Sequence, residues 1–127
     1  MLGMENRILA DTSVLIALQR RDPQAVSFFR KHIYKIDISR ISACEFIYGS
    51  RNKGEKNINK DFLEWMYIIE IDENISERAF EIIDEYGLKV KMGVSDALIA
   101  ATALEENMKL WTLNQKHFKE IKNVELI

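Results

Sequence analysis

Gly93-Val94-Ser95-Asp96-Ala97-Leu98-Ile99-Ala100-Ala101-Thr102-Ala103-Leu104 carries one charge, Asp96, and none from Ala97 onward. Ala and Leu are strong helix formers, so the stretch predicts a helix. Its apolar residues fall on every side instead of along one stripe, which marks a helix buried all round. Asp96 stands in the first turn, where the positive end of the helix dipole favours an ionised carboxylate. Ser95 is placed to cap the free N–H groups beside it. An acid in a first turn often does no more than cap. A buried helix that delivers one from its N-terminus also directs the search to other acids able to join it.

Two others qualify. Arg7-Ile8-Leu9-Ala10 is a short apolar run that reads as a buried strand. Thr12 to Arg20 then has helical character, so Asp11 falls at the C-terminal end of the first strand. In open α/β sheets ligands bind outside those strand ends. Asp-Thr-Ser is equally good capping material. Ile41-Ser42-Ala43-Cys44-Glu45-Phe46-Ile47-Tyr48-Gly49 predicts a further helix ended by Gly49. Glu45 lies there among apolar neighbours, either at the solvent edge of a buried face or held for a purpose. Carboxylates drawn together repel, and burial adds to the cost. A cation between them removes it, and oxygen-only donors select Mg²⁺ or Mn²⁺ over Zn²⁺. Such an ion binds phosphate oxygens and can lower the pKa of an attacking water. Spacing puts each acid at a suitable edge without showing that the three meet.

The remaining chain alternates. Pro23 fits the first position of a helix running through Val26, Phe28, Phe29 and Ile33. Tyr34 to Ile38 reads as a second strand. Arg51 to Lys56 is a basic connection that is either solvated or faces phosphates. Ile58, Phe62, Trp65 and Met66 recur at helical spacing, as core or as a dimer face. Tyr67 to Asp72 predicts a third strand. Ser76 to Tyr86 predicts an amphipathic helix, capped by Asn74 or Ser76 and closed by Gly87. Met108 to Thr112 is a fourth strand, Asn114 to Phe118 a turn and short helix, and Val124 to Ile127 a closing strand. The pattern implies one domain over residues 1–127. Its fold class is three-layer α/β/α, with a parallel sheet of four to five strands.

Composition agrees: 127 residues, 47% hydrophobic and 30% charged, suit one soluble domain with a real core. No apolar run approaches the roughly 20 residues of a membrane span. Residues 1–7 lack the pattern of a signal peptide. Cys44 has no partner for an internal disulfide, which predicts a reducing, intracellular setting; it reads as a small core residue. The net charge of −2 hides an asymmetry of +5 over residues 1–60 and −7 over the rest. Such a division gives one face a positive potential if the halves segregate in space.

Four pieces together carry a family resemblance: Leu9-Ala10-Asp11-Thr12-Ser13-Val14-Leu15, Ile41 to Gly49, Ser95-Asp96-Ala97-Leu98-Ile99-Ala100-Ala101-Thr102-Ala103, and Trp111-Thr112-Leu113-Asn114-Gln115-Lys116-His117-Phe118. In this order and spacing the chain resembles the PIN domain, and within it the VapC-type toxin ribonucleases. The resemblance covers nearly the whole sequence. It implies a PIN-like fold, Mg²⁺- or Mn²⁺-dependent endonuclease action on RNA (tRNA or rRNA), and a cytoplasmic location. It also implies a homodimer and inhibition by a small VapB-like antitoxin. Asp11, Glu45 and Asp96 would hold the metal. Thr12 or Ser13 would add a hydroxyl, with Thr112 and Asn114 as accessory positions. Many members place a fourth acid after the fourth strand; here Asn114 and His117 stand in that segment, which points to one well-held ion. The alternative is a catalytically weakened PIN-fold module that binds RNA or protein without cutting. A phospho-acceptor domain would also place Asp after its first strand, but a dehalogenase-like phosphatase wants a second acid at position 13, which is Ser13.

Overall fold

The structure is a computed structural model that describes residues 6–127. Four parallel strands are present among these residues: β1 (Ile8–Ala10), β2 (Ile36–Ser39), β3 (Tyr67–Ile69) and β4 (Lys109–Trp111). Their order is β3-β2-β1-β4. Six helices accompany them: α1 (Thr12–Gln19), α2 (Pro23–Lys31), α3 (Arg40–Tyr48), α4 (Lys53–Glu64), α5 (Glu73–Val90) and α6 (Val94–Glu105).

Alternation along the strands divides the core between two faces. Ile8 and Ala10 of β1, Ile36 and Ile38 of β2, and Trp111 pack with Val14, Leu15, Ala43 and Phe46. Leu9 and Leu110 point the other way, into a core built from α5, α6, Met108 and Phe118. Helices on both faces of a parallel sheet give three layers, as the sequence predicts. The uncharged run from Ala97 to Leu104 lies in α6, the inner helix of the second face. Ala97, Ile99, Ala100, Ala101, Thr102 and Ala103 are all buried. Among the described residues, no helix is long and apolar enough to cross a membrane.

Several boundaries differ from expectation for identifiable reasons. Tyr34 and Lys35 form a 3₁₀ turn instead of strand, because Ile36 is the first residue of that segment with a partner on β1. β3 stops at Ile69, opposite Ser39, where β2 ends. The closing strand reduces to a single parallel bridge, Leu110 with Leu126. α4 begins inside the basic connection, capped by Asn52, and Arg51 is engaged by Glu55 one turn on. α5 begins earlier and ends later than Ser76 to Tyr86. Asp72 caps it, Gly87 lies within it, and Lys91 ends it in the left-handed conformation at φ 53°. The chain reverses there so that Met92 can enter the core. α6 is capped by the extended backbone of Gly93, not by Ser95, which lies inside the first turn. Cys44 is exposed, on the outer side of α3, and is not a core residue.

Candidate active site

The strand register builds the site. Ala10 of β1 lies opposite Ile38 on one side and Trp111 on the other. The next residue on each chain is polar, and all three are buried: Asp11 at 3% exposure, Ser39 at 0% and Thr112 at 3%. Apolar strands therefore end on a polar row at the C-terminal edge of the sheet. After β1 the chain builds outward through β2 and β3, then returns to add β4 on the other side. The gap between β1 and β4 is thus a topological switch point, the usual place for a ligand in an open α/β sheet. Asp11 and Thr112 sit there.

Asp11 is held by three donors. Its Oδ1 accepts from Val14 N–H at 3.2 Å, which caps α1, and from the Ser13 hydroxyl. Its Oδ2 accepts from Thr112 Oγ1 at 2.5 Å. Burial pushes the Asp11 carboxyl above the ordinary range, these three donors pull it back down, and the charge of Asp96 pushes it up again. Glu45, in the second turn of α3, accepts from Thr12 Oγ1 at 2.5 Å. Asp96 occupies the first turn of α6 with its Oδ2 3.1 Å from His117 Nδ1. Burial raises the Asp96 carboxyl, His117 lowers it, and the charge of Glu45 raises it.

Each acid predicted from sequence thus lies at the same edge, and Asp96 feels or exerts a charge effect with both of the others. The side chains are not closed around a point. Among the described residues, no three His, Cys, Asp or Glu groups stand as a ready metal cluster. Mutual repulsion favours that spacing, and each carboxylate is turned toward its own hydroxyl or imidazole. The donor chemistry nevertheless fits a hard divalent cation. All donors are oxygens, and among the described residues neither Asp11 nor Glu45 forms an ion pair. Buried and half-buried carboxylates that repel one another, two of them with no ion-pair partner among the described residues, are what such an ion stabilises.

The accessory positions divide. Ser13 bridges two segments, accepting from Leu113 N–H at 3.0 Å while donating to Asp11. Asn114 is exposed; its backbone N–H, not its carboxamide, enters the network by donating to Thr112 Oγ1 at 2.9 Å. Ser39 was not among the sequence candidates, although it follows Ile38 as Asp11 follows Ala10. It caps α3. Nothing in the sequence signals the contact of His117 with Asp96: no periodicity links the two, 21 residues apart.

The sequence model of the PIN domain matches residues 8–124. The chain belongs to the PIN domain family. A similar protein is ribonuclease VapC1 of Methanocaldococcus jannaschii, 32% identical over a 124-residue alignment that covers 93% of this chain and 83% of that one. Among solved structures, a toxin–antitoxin complex from Klebsiella pneumoniae superposes with a TM-score of 0.80 at 28% identity, over 94% of this chain and 95% of that one. VapBC2 from Rickettsia felis, bound to a promoter DNA fragment, gives 0.81 at 26% identity, over 94% and 96%.

Proposed function

We propose that this PIN domain is a Mg²⁺- or Mn²⁺-dependent endoribonuclease and the toxin of a VapBC-type toxin–antitoxin pair. The observation that carries the reading is that Asp11, Glu45 and Asp96 come from three separate elements to one edge of the sheet, where the charge of Asp96 acts on Asp11 and that of Glu45 on Asp96. The ribonuclease name of the Methanocaldococcus jannaschii relative supports the activity, and the toxin–antitoxin and VapBC2 neighbours support the partner. The cytoplasm is where such a substrate and partner are found.

When bound, a hard divalent ion neutralises phosphate charge and makes a water molecule more acidic. Asp11, Glu45 and Asp96 would hold it. Ser13, Thr112 and the Val14 N–H favour the ionised form of Asp11 by donating to it. Thr12 fixes the rotamer of Glu45. The excess of Lys and Arg in residues 1–60 draws the RNA backbone, tRNA or rRNA, without reading its sequence.

The test is cleavage of labelled tRNA and rRNA with Mg²⁺ or Mn²⁺, with EDTA, and with Asp96→Asn. The reading expects metal-dependent cutting that the variant loses by about 100-fold or more, since metal-ion catalysis supplies several kcal/mol. Wild-type cutting in EDTA would refute it. We also propose that the homodimer interface lies on the outer side of α4 and its C-cap, where Ile58 is 68% and Trp65 89% exposed. Light scattering on Ile58→Asp/Trp65→Asp should then give a monomer. One feature favours the non-cutting binding module, namely that the acids are not closed into a metal cluster. That module would bind RNA equally well in EDTA and in the Asp96→Asn variant.

A further inference from the structure

The segment that follows β4 touches two of the three acids. Thr112 donates to Asp11, and five residues later His117 reaches Asp96. The segment is rigid. His117 N–H bonds Asn114 O and Phe118 N–H bonds Gln115 O, both at 3.0 Å, and the Asn114 N–H closes onto Thr112. Phe118 and Ile121 are buried and pin its far end in the core. The backbone of His117 is therefore fixed by its neighbours, although the His117 side chain itself is 45% exposed.

An ionised carboxylate only accepts hydrogen bonds, so His117 Nδ1 is the donor. Asp11 has three donors to orient it. For Asp96, the described residues supply His117 alone. A bond to Oδ2 fixes the rotation of the carboxylate and leaves Oδ1 free. We propose that His117 is a positioning residue: by holding Asp96 Oδ2, it leaves Asp96 Oδ1 available at the sheet edge shared with Asp11 and Glu45. Thr112 does the same for Asp11, so one segment sets the relation between two of the acids. The inference rests on the reading of the three acids as metal ligands.

The experiment is a Mn²⁺ titration of the full chain, prepared metal-free, with free Mn²⁺ read by electron paramagnetic resonance. Wild type is compared with His117→Ala, His117→Gln, His117→Asn and Asp96→Asn, each checked for folding by circular dichroism. Asn places an amide N–H near the Nδ1 position, whereas Gln places it near Nε2. Partners that orient a metal ligand are typically worth about 10- to 100-fold in affinity. His117→Ala and His117→Gln should lose affinity by that factor, and His117→Asn should stay within about 3-fold of wild type. RNA cleavage by His117→Ala should recover as Mn²⁺ is raised to saturation. If His117→Ala binds Mn²⁺ as tightly as wild type while Asp96→Asn does not, the positioning role is wrong and the proposed function stands. If wild type binds no Mn²⁺, or Asp96→Asn binds it undiminished, the reading of the acids fails and this inference with it.

Discussion

Asp11 and Asp96 are both pushed above the ordinary carboxylate range, in each case first by burial. A group whose pKa is raised on folding holds its proton better in the folded state. Its contribution to stability is fully present below the unfolded value of 3.8 and is lost as pH rises through the raised folded value. At neutral pH the metal-free fold thus carries charges that weaken it. Asp96→Asn removes one of them and leaves a side chain that still accepts from His117. In EDTA at pH 7 the variant should melt about 2–5 °C above wild type, the shift that roughly 1 kcal/mol gives a domain of this size. That advantage should fade as pH falls toward 4. A variant that melts below wild type at pH 7 would show that Asp96 is structural. Thr112 gives a second test at this scale. Thr112→Val leaves buried Asp11 short of a donor and the Asn114 N–H short of an acceptor. Urea denaturation should register a loss of about 1–3 kcal/mol, and Thr112→Ser should recover most of it.

At the scale of elements, α5 shows how tertiary contacts override local signals. Gly87 reads as a helix stop, yet the helix continues for three more residues because packing on α6 and the entry of Met92 into the core decide where it turns. A Cβ at Gly87 would meet only Ile83 Cγ2, at an ordinary 3.5 Å. Gly87→Ala should therefore stabilise the protein by about 0.5–1 kcal/mol, through the backbone freedom that glycine loses in a helix. Destabilisation in thermal or urea unfolding would mean that the space around Gly87 is tighter than described. The end of the first strand was legible for the opposite reason: Ala10–Asp11 changes from apolar to polar within one residue. The fourth strand instead ends at Trp111, one residue short of the Met108 to Thr112 reading, and the third at Ile69 instead of Asp72. Cys44 was not legible. The helix that carries it is apolar on several sides, and which side faces out follows from the packing of the whole fold, not from a local pattern. His117 was invisible because a contact between a 3₁₀ turn and a helix start follows from the fold, not from any local pattern.

At the scale of the molecule, the parallel sheet brings together residues that lie far apart in sequence: Asp11 meets Thr112 across 101 positions, and Thr12 meets Glu45 across 33. The same sheet is tied at its other edge. Arg7 forks onto Asp37, which is buried on β2. Asp37→Asn should leave the fold in place but weaken it, and Asp37→Ala should cost about 1–3 kcal/mol, since it removes the charge-assisted hydrogen bonds that Arg7 makes to a buried strand position. Equal stability of Asp37→Ala and wild type in urea would remove that pair from the account. The sharing of one metal ion by Asp11, Glu45 and Asp96 is the claim on which the functional reading depends. It is tested most directly by anomalous diffraction from crystals soaked in Mn²⁺. The account predicts a peak about 2.0–2.3 Å from carboxylate oxygens of Asp11, Glu45 and Asp96, absent from crystals of Asp96→Asn. A Mn²⁺ ion bound elsewhere, with these three carboxylates unliganded at saturating metal, would contradict it.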